Sequence, residues 1–188
     1  MCIRDSAASA SASARNDKIP DLTSAASLCA RRRRLENIMV TRPNTHEEQM
    51  KTIVHAAALF GDKEQGPFRV MIIDSLIALF RVEFQGRGEL SERQQRMCKH
   101  MQDITRLIEE FNVACLITNQ CQAVVDGMAL GPSVKGVGGH ILSHYSTTIM
   151  NFKKHKDNMR AAKLVDSPYL PESDAQFQLD ERGISDTA

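Results

Sequence analysis

No run of the sequence approaches eighteen consecutive apolar residues, so no membrane-spanning helix is expected. The five cysteines (Cys2, Cys29, Cys98, Cys115 and Cys121) are odd in number and form no C-x-x-C pair. Two of them fall in apolar-patterned stretches, which reads as reduced, packed thiols in an intracellular protein. Neither sign of charge is in excess: 24 Lys and Arg stand against 23 Asp and Glu. Any nucleic-acid contact must therefore come from local basic loops rather than from a basic surface. His140 and His144 have the i, i+4 spacing of zinc ligands but lack the intervening Glu and a third ligand, so no such metal centre is expected.

What is present supports one globular body. With 188 residues, 42% of them apolar, the chain can bury a core. Residues 1–34 differ from the rest: S-A-A-S-A-S-A-S-A is low in complexity, and Arg31 to Arg34 form a basic block without apolar periodicity. That segment is expected to be disordered, its basic run a solvated tail rather than a nuclear-import or nucleic-acid patch. The opening M-C-I-R-D-S resembles translated sequencing adaptor, so the native register is expected to begin near Leu35 and the domain to occupy 35–188.

From Leu35 onward strands alternate with helices, the pattern of a parallel or mixed sheet with helices packed on it. Asn37 to Thr41 reads as a short strand, ended by Pro43 and Asn44. Thr45-x-x-Glu48 reads as a capping box opening a helix whose apolar face is Met50, Ile53, Val54 and Ala57. Ser91-x-x-Gln94 is expected to cap a second helix carrying Met97, Met101, Ile104, Leu107, Ile108 and Phe111. Between them, Gly86 and Gly88 flank Arg87 in what reads as a mobile loop. Val113 to Thr118 predicts a second buried strand ending on Asn119 and Gln120. Cys121 to Gly139 holds five glycines and reads as a long irregular loop, either functional or disordered. Strands at Thr147 to Lys153, Met159 to Val165 and Ala175 to Leu179 then read as an antiparallel extension of the sheet.

The run Phe68 to Asp74 (F-R-V-M-I-I-D) shows no polar alternation, as in a central strand covered on both faces. Open α/β sheets bind ligands at the carboxyl ends of such strands, where Asp74 stands. Two readings of Asp74 remain open on the residues alone. It either holds a magnesium ion bridging terminal phosphates or caps the amides of Ser75 to Ile77.

Five strings in order, R-V-M-I-I-D-S, F-R-V-E-F-Q-G-R-G-E-L-S-E-R-Q-Q, L-I-T-N-Q, G-G-H-I-L-S-H-Y-S-T-T and K-L-V-D-S-P-Y-L-P-E, resemble the carboxyl-terminal part of the eukaryotic RecA/RadA-type DNA strand-exchange recombinases. G-R-G-E-L-S-E-R-Q-Q and G-G-H-I-L resemble the meiosis-specific branch more than the mitotic one. The resemblance covers Leu35 to Ala188 and implies part of a RecA-like P-loop NTPase core, α/β, with a mixed, mostly parallel sheet flanked by helices. It implies ATP and Mg as cofactors, with Asp74 holding the metal through water. Asn119 and Gln120 resemble the pair that senses the γ-phosphate. Arg87, with Arg81 and Arg93 in support, resembles a first DNA-contact loop, and Cys121 to Val137, including Lys135 and Gly136, a second. His144 is similar to a histidine reaching a neighbour's γ-phosphate, and Asp166, Ser167 and Pro168 to a cap over a neighbour's adenine. As partners the resemblance implies single- and double-stranded DNA, other protomers of a filament and recombination mediator proteins in the nucleus, with no membrane.

The family's phosphate-binding loop, G-x-x-x-x-G-K-[ST], does not occur in this sequence. Gly131 to Gly136 is the nearest approach, and it is followed by Val137 and Gly138. The expectation is a partial gene product without ATPase activity of its own and with weak, salt-sensitive DNA binding. A non-catalytic paralogue that modulates filaments through the protomer interface is the alternative. Ile149 where arginine is common, Tyr145 for a small residue and a single Lys135 for a lysine pair are departures that bear on the DNA contacts. The missing strand and helix predict exposed sheet edges and poor solubility.

Overall fold

The computed structural model describes residues 2–4, 35–65, 67–124, 133–181 and 183–186. The chain divides into two units, Met1–Val137 and Gly138–Ala188. The first is built on a four-stranded sheet of order β2-β1-β3-β4, with β1 at Cys2–Arg4, β2 at Ile38–Met39, β3 at Phe68–Ile73 and β4 at Ala114–Ile117. β3 and β4 run parallel in the register Val70↔Ala114 to Ile73↔Ile117, while β1 is antiparallel to both β2 and β3. The expectation of disorder across residues 1–34 therefore fails at Cys2–Arg4, and residues 5–34 lie outside the described residues. A gap between two strands presents unpaired N–H and C=O groups on both sides, and a short extended segment satisfies them.

Three α-helices that lie wholly among the described residues accompany this sheet. α1 (His46–Gly61) starts at Thr45, whose Oγ1 accepts from the Glu48 backbone N–H at 3.2 Å. The return arm of the expected capping box falls one residue early, with the Glu48 carboxylate accepting from the N–H of Asn44 at 2.8 Å. The buried face of α1 is His46, Gln49, Ile53, Ala56 and Phe60, so the predicted stripe is displaced and Val54 is 67% exposed. Two polar residues turn inward because each finds partners there.

α2 (Ala78–Glu83) follows β3 after a tight turn in which Leu76 and Ile77 are fully buried, and Phe80 on α2 is fully buried with them. A single 3-10 turn at Arg87–Glu89 replaces the expected loop, closed by the Glu89 carboxylate on the Gly86 N–H at 3.0 Å. It runs directly into α3 (Leu90–Phe111), so Ser91 lies inside the helix and does not cap it. Met97, Met101, Ile104 and Leu107 are buried as their spacing predicts, together with His100. α3 ends on Asn112, whose φ of 51° is the left-handed stop that asparagine tolerates.

β4 is the last strand in its sheet, which corrects the expectation of a second buried strand: Leu116 is 57% exposed. The glycine-rich stretch after β4 is also more regular than expected. β5 (Cys121–Val124) and β6 (Ser133–Gly136) form an antiparallel pair from Cys121↔Gly136 to Val124↔Ser133, and residues 125–132 lie outside the described residues.

The second unit opens with Gly138 at φ 103° and Gly139 at φ 61°, then the short helix α4 (Gly139–Tyr145). Its strands are β7 (Ile149–Lys154), β8 (Met159–Asp166), β9 (Ser173–Asp180) and β10 (Gly183–Asp186). They make a separate antiparallel sheet of order β10-β9-β8-β7 rather than an extension of the first, and β10 was not foreseen. The register sets Met150 beside Leu164 and Phe152 beside Ala162, in line with Ala175. One face of this sheet is consequently apolar, with the Phe152 and Phe177 rings edge to face at 6.3 Å.

Candidate functional site

The parallel register that pairs Ile73 with Ile117 sets the next residues, Asp74 and Thr118, side by side at the carboxyl ends of β3 and β4. The backbone confirms the alignment, since Thr118 N–H donates to Ile73 O at 3.0 Å and Leu76 N–H to Thr118 O at 3.4 Å. Thr118 Oγ1–H then donates to Asp74 Oδ1 at 2.7 Å. The Asp74 carboxylate is exposed and fixed by one oxygen, which leaves Oδ2 without a protein partner among the described residues. Thr118 was missed as a site residue in the sequence reading, although it is the first polar residue after its apolar run, as Asp74 is after its own.

The next two residues bind the hairpin to this end of the sheet. Asn119 Nδ2 donates to Val137 O at 2.7 Å, and its Oδ1 accepts from Gln120 N–H at 2.8 Å. Gln120 O accepts from Val137 N–H at 2.9 Å, so both strands of the hairpin are tied at their root. Gly136 sits against this knot, where an added Cβ would lie 3.3 Å from Asn119 Nδ2. The side chain of Gln120 projects to α2, and its Oε1 accepts from Arg81 Nη1 at 2.7 Å. Arg81, expected only as a support for DNA contact, therefore also touches the residue expected to sense the γ-phosphate.

Other candidates are spread over the two units. The backbone of Arg87 lies in the 3-10 turn and that of Lys135 in β6, while their side chains lie outside the described residues. Arg93 is half-buried on the first turn of α3. In the second unit His144 is exposed on α4, its ring 6.4 Å from that of His140. Asp166 ends β8, and Ser167 Oγ accepts from the Tyr169 N–H at 3.3 Å in the turn containing Pro168. Among the described residues no group of three or more His, Cys, Asp or Glu is placed to hold a metal ion. A hard cation reaching Asp74 would thus depend on water and on a ligand's own oxygens, which is the habit of magnesium rather than of zinc.

Two polar networks, one centred on the buried His46 and one on the buried Gln49 and His100, lie in the same unit, and sequence reading missed both. Glu83, the last residue of α2, accepts from the backbone N–H of His46 at 2.6 Å and also pairs with His46 Nδ1. The backbone bond leads the effects that hold the Glu83 carboxyl below its ordinary range. Arg96 Nη1 donates to His46 Nε2 at 3.1 Å, which assigns the neutral ring its proton on Nδ1. Arg96 also bonds Glu92 at 2.8 Å and lies 5.8 Å from the Phe84 ring centroid. The turn at Arg87 is thereby clamped on both flanks. In the second network Gln49 Nε2 donates to Leu76 O at 3.1 Å and lies 3.2 Å from His100 Nε2.

Comparison with known proteins adds an independent line. A family profile described as Rad51 matches residues 9–187. The chain is 43% identical over 153 residues to a meiotic recombination protein DMC1 homolog of Lilium longiflorum, with 81% of this chain and 43% of that protein covered. It is 42% identical over 154 residues to the human meiotic recombination protein DMC1/LIM15 homolog, covering 81% of this chain and 45% of the relative. Against the DMC1 homolog B of Oryza sativa subsp. japonica the identity is 44% over 153 residues, covering 81% and 44%. The chain spans about half the length of the curated relatives it matches.

Proposed function

The chain belongs to the Rad51 family, and from that premise we propose that it carries the carboxyl-terminal part of the ATPase core of a DNA recombinase acting in meiotic recombination. The observation that carries the proposal is the paired ends of β3 and β4, where Thr118 holds Asp74 and Arg81 holds Gln120 beside the root of a two-stranded hairpin. An acid, an amide and one arginine meet there beside the hairpin root, which supports reading it as a nucleotide-responsive DNA site.

In this reading Asp74 holds Mg through water, with Thr118 fixing the rotamer that presents Oδ2. When bound, Mg with ATP supplies neutralisation of charge on the transferring phosphate. Asn119 and Gln120 would be the groups that meet the terminal phosphate, and their bonds to Val137 tie them to the hairpin. Arg87, Arg81, Arg93, Lys135 and Gly136 belong to the segments that meet the DNA backbone. Phosphate contacts of this kind hold a strand without reading its sequence. His144, Asp166, Ser167 and Pro168 serve a neighbouring protomer in a filament on single-stranded DNA, which then pairs with duplex. Mediator proteins and the nucleus follow as its setting.

Binding of a fluorescent (dT)15 oligonucleotide by this chain, followed by anisotropy across a salt series, tests the proposal. Weak binding is expected, with each lost phosphate contact reducing the salt slope by about 0.7 for a single strand. The Arg87→Ala variant should bind more weakly and with such a reduced slope. Affinity that ignores salt, or an Arg87→Ala variant indistinguishable from the unmodified chain, would sink it. ATP turnover by this polypeptide should be undetectable, since the phosphate cradle is absent from its sequence.

A further inference from the structure

The Arg81–Gln120 bond joins two segments whose backbones are each held by hydrogen bonds. Arg81 follows Phe80, which is fully buried, and its own N–H donates to Ile77 O at 3.0 Å within α2. Gln120 is held at its N–H by Asn119 Oδ1 and at its carbonyl by Val137 N–H. The side-chain amide of Gln120 is thus the free part of that residue, and the Arg81 guanidinium, reaching it from α2, donates to it at 2.7 Å.

Donor chemistry then sets the orientation of the amide. Arginine has five N–H donors and no acceptor, so the group facing Arg81 must be Gln120 Oε1. The NH2 of Gln120 consequently points away, and its two donors suit an anionic oxygen. Without Arg81 the amide could turn over and present its carbonyl, which would repel the same oxygen. Four N–H groups of Arg81 remain without a protein partner among the described residues, enough to engage a phosphate while the bond to Gln120 persists.

We propose that Arg81 is the positioning residue for Gln120, locking its amide with the NH2 outward, and that a DNA phosphate captured by Arg81 acts on Gln120 through this single guanidinium. The DNA half of this proposal rests on the recombinase reading above; the locking half does not.

Side-chain NMR on the whole chain separates the two. In the unmodified protein the Gln120 NH2 pair should be dispersed, and it should shift further as (dT)15 is added. In Arg81→Ala the pair should collapse towards the values of free glutamine, with partial recovery in Arg81→Lys; an unchanged Gln120 pair in Arg81→Ala overturns the lock. A double-mutant cycle on (dT)15 affinity reads the coupling. Arg81→Ala should cost about fivefold in the unmodified background and about twofold, the loss of its direct phosphate contact alone, once Gln120 is already alanine. Equal losses in both backgrounds overturn the coupling. Failure of the unmodified chain to bind (dT)15 removes the recombinase reading and the coupling with it, while the Gln120 resonances still decide the lock.

Discussion

As the pH falls from 6.5 towards 4, the first unit is expected to lose roughly 3 kcal/mol of stability through one side chain, His100. Burial lowers the pKa of this imidazole from 6.5 to about 4, against a weaker opposing pull from Asp103. Gln49 Nε2 is a donor, so His100 Nε2 must accept and the neutral ring carries its proton on Nδ1, which has no partner. Protonation would set an N–H against the Gln49 NH2, and turning that amide over would strip Leu76 O of its bond. The unfolded chain binds the proton near 6.5 and the folded chain only near 4. The stabilisation is therefore complete above 6.5 and disappears as pH drops through that window. Urea titrations at pH 7.5 and 4.5 should show the midpoint falling, and His100→Leu should flatten most of the change. An equal acid loss in His100→Leu would assign the effect elsewhere.

Phe80→Ala is expected to cost about 3–5 kcal/mol, the range for emptying a fully buried phenylalanine site. Its ring is 5.4 Å from that of His46 and 5.8 Å from that of His100, and Leu76 and Ile77 are buried with it. The cavity would open beneath both polar networks at once and loosen the helix that carries Arg81. A loss of that size is comparable to the whole stability of many domains, so the first unit should fail to give a cooperative thermal transition. Phe80→Leu should retain one, since much of the volume remains. If the far-ultraviolet melt of Phe80→Ala shifts by less than about 2 °C, the core is not organised around this residue.

Much of this was legible because the chemistry was local. The Thr45 cap, the α3 stripe and the two runs ending at Asp74 and Asn119 follow from spacing, and the structure keeps all three. What escaped depended on partners far away in sequence. His46 and Gln49 look like solvent-facing positions until Glu83, Arg96 and His100 are brought to them. Val54 looks like core until that substitution of faces pushes it outward. The exposure of Leu116 could not be read from an apolar run, because it depends on which strand stands beside β4. Likewise, Cys121 to Gly136 has the composition of a loop, and the pairing of β5 with β6 comes from the clasp that Asn119 and Gln120 make with Val137.

The two glycines that open the second unit make unequal demands on inheritance. Gly139, at φ 61°, occupies a region that asparagine and aspartate also visit, so a codon change to either leaves the backbone path open. Gly138, at φ 103°, lies beyond that region, and any Cβ there strains the entry to α4. Across a library of variants Gly138 should behave as an all-or-nothing letter while its neighbour drifts, and α4, with His144 upon it, is only as heritable as that single codon.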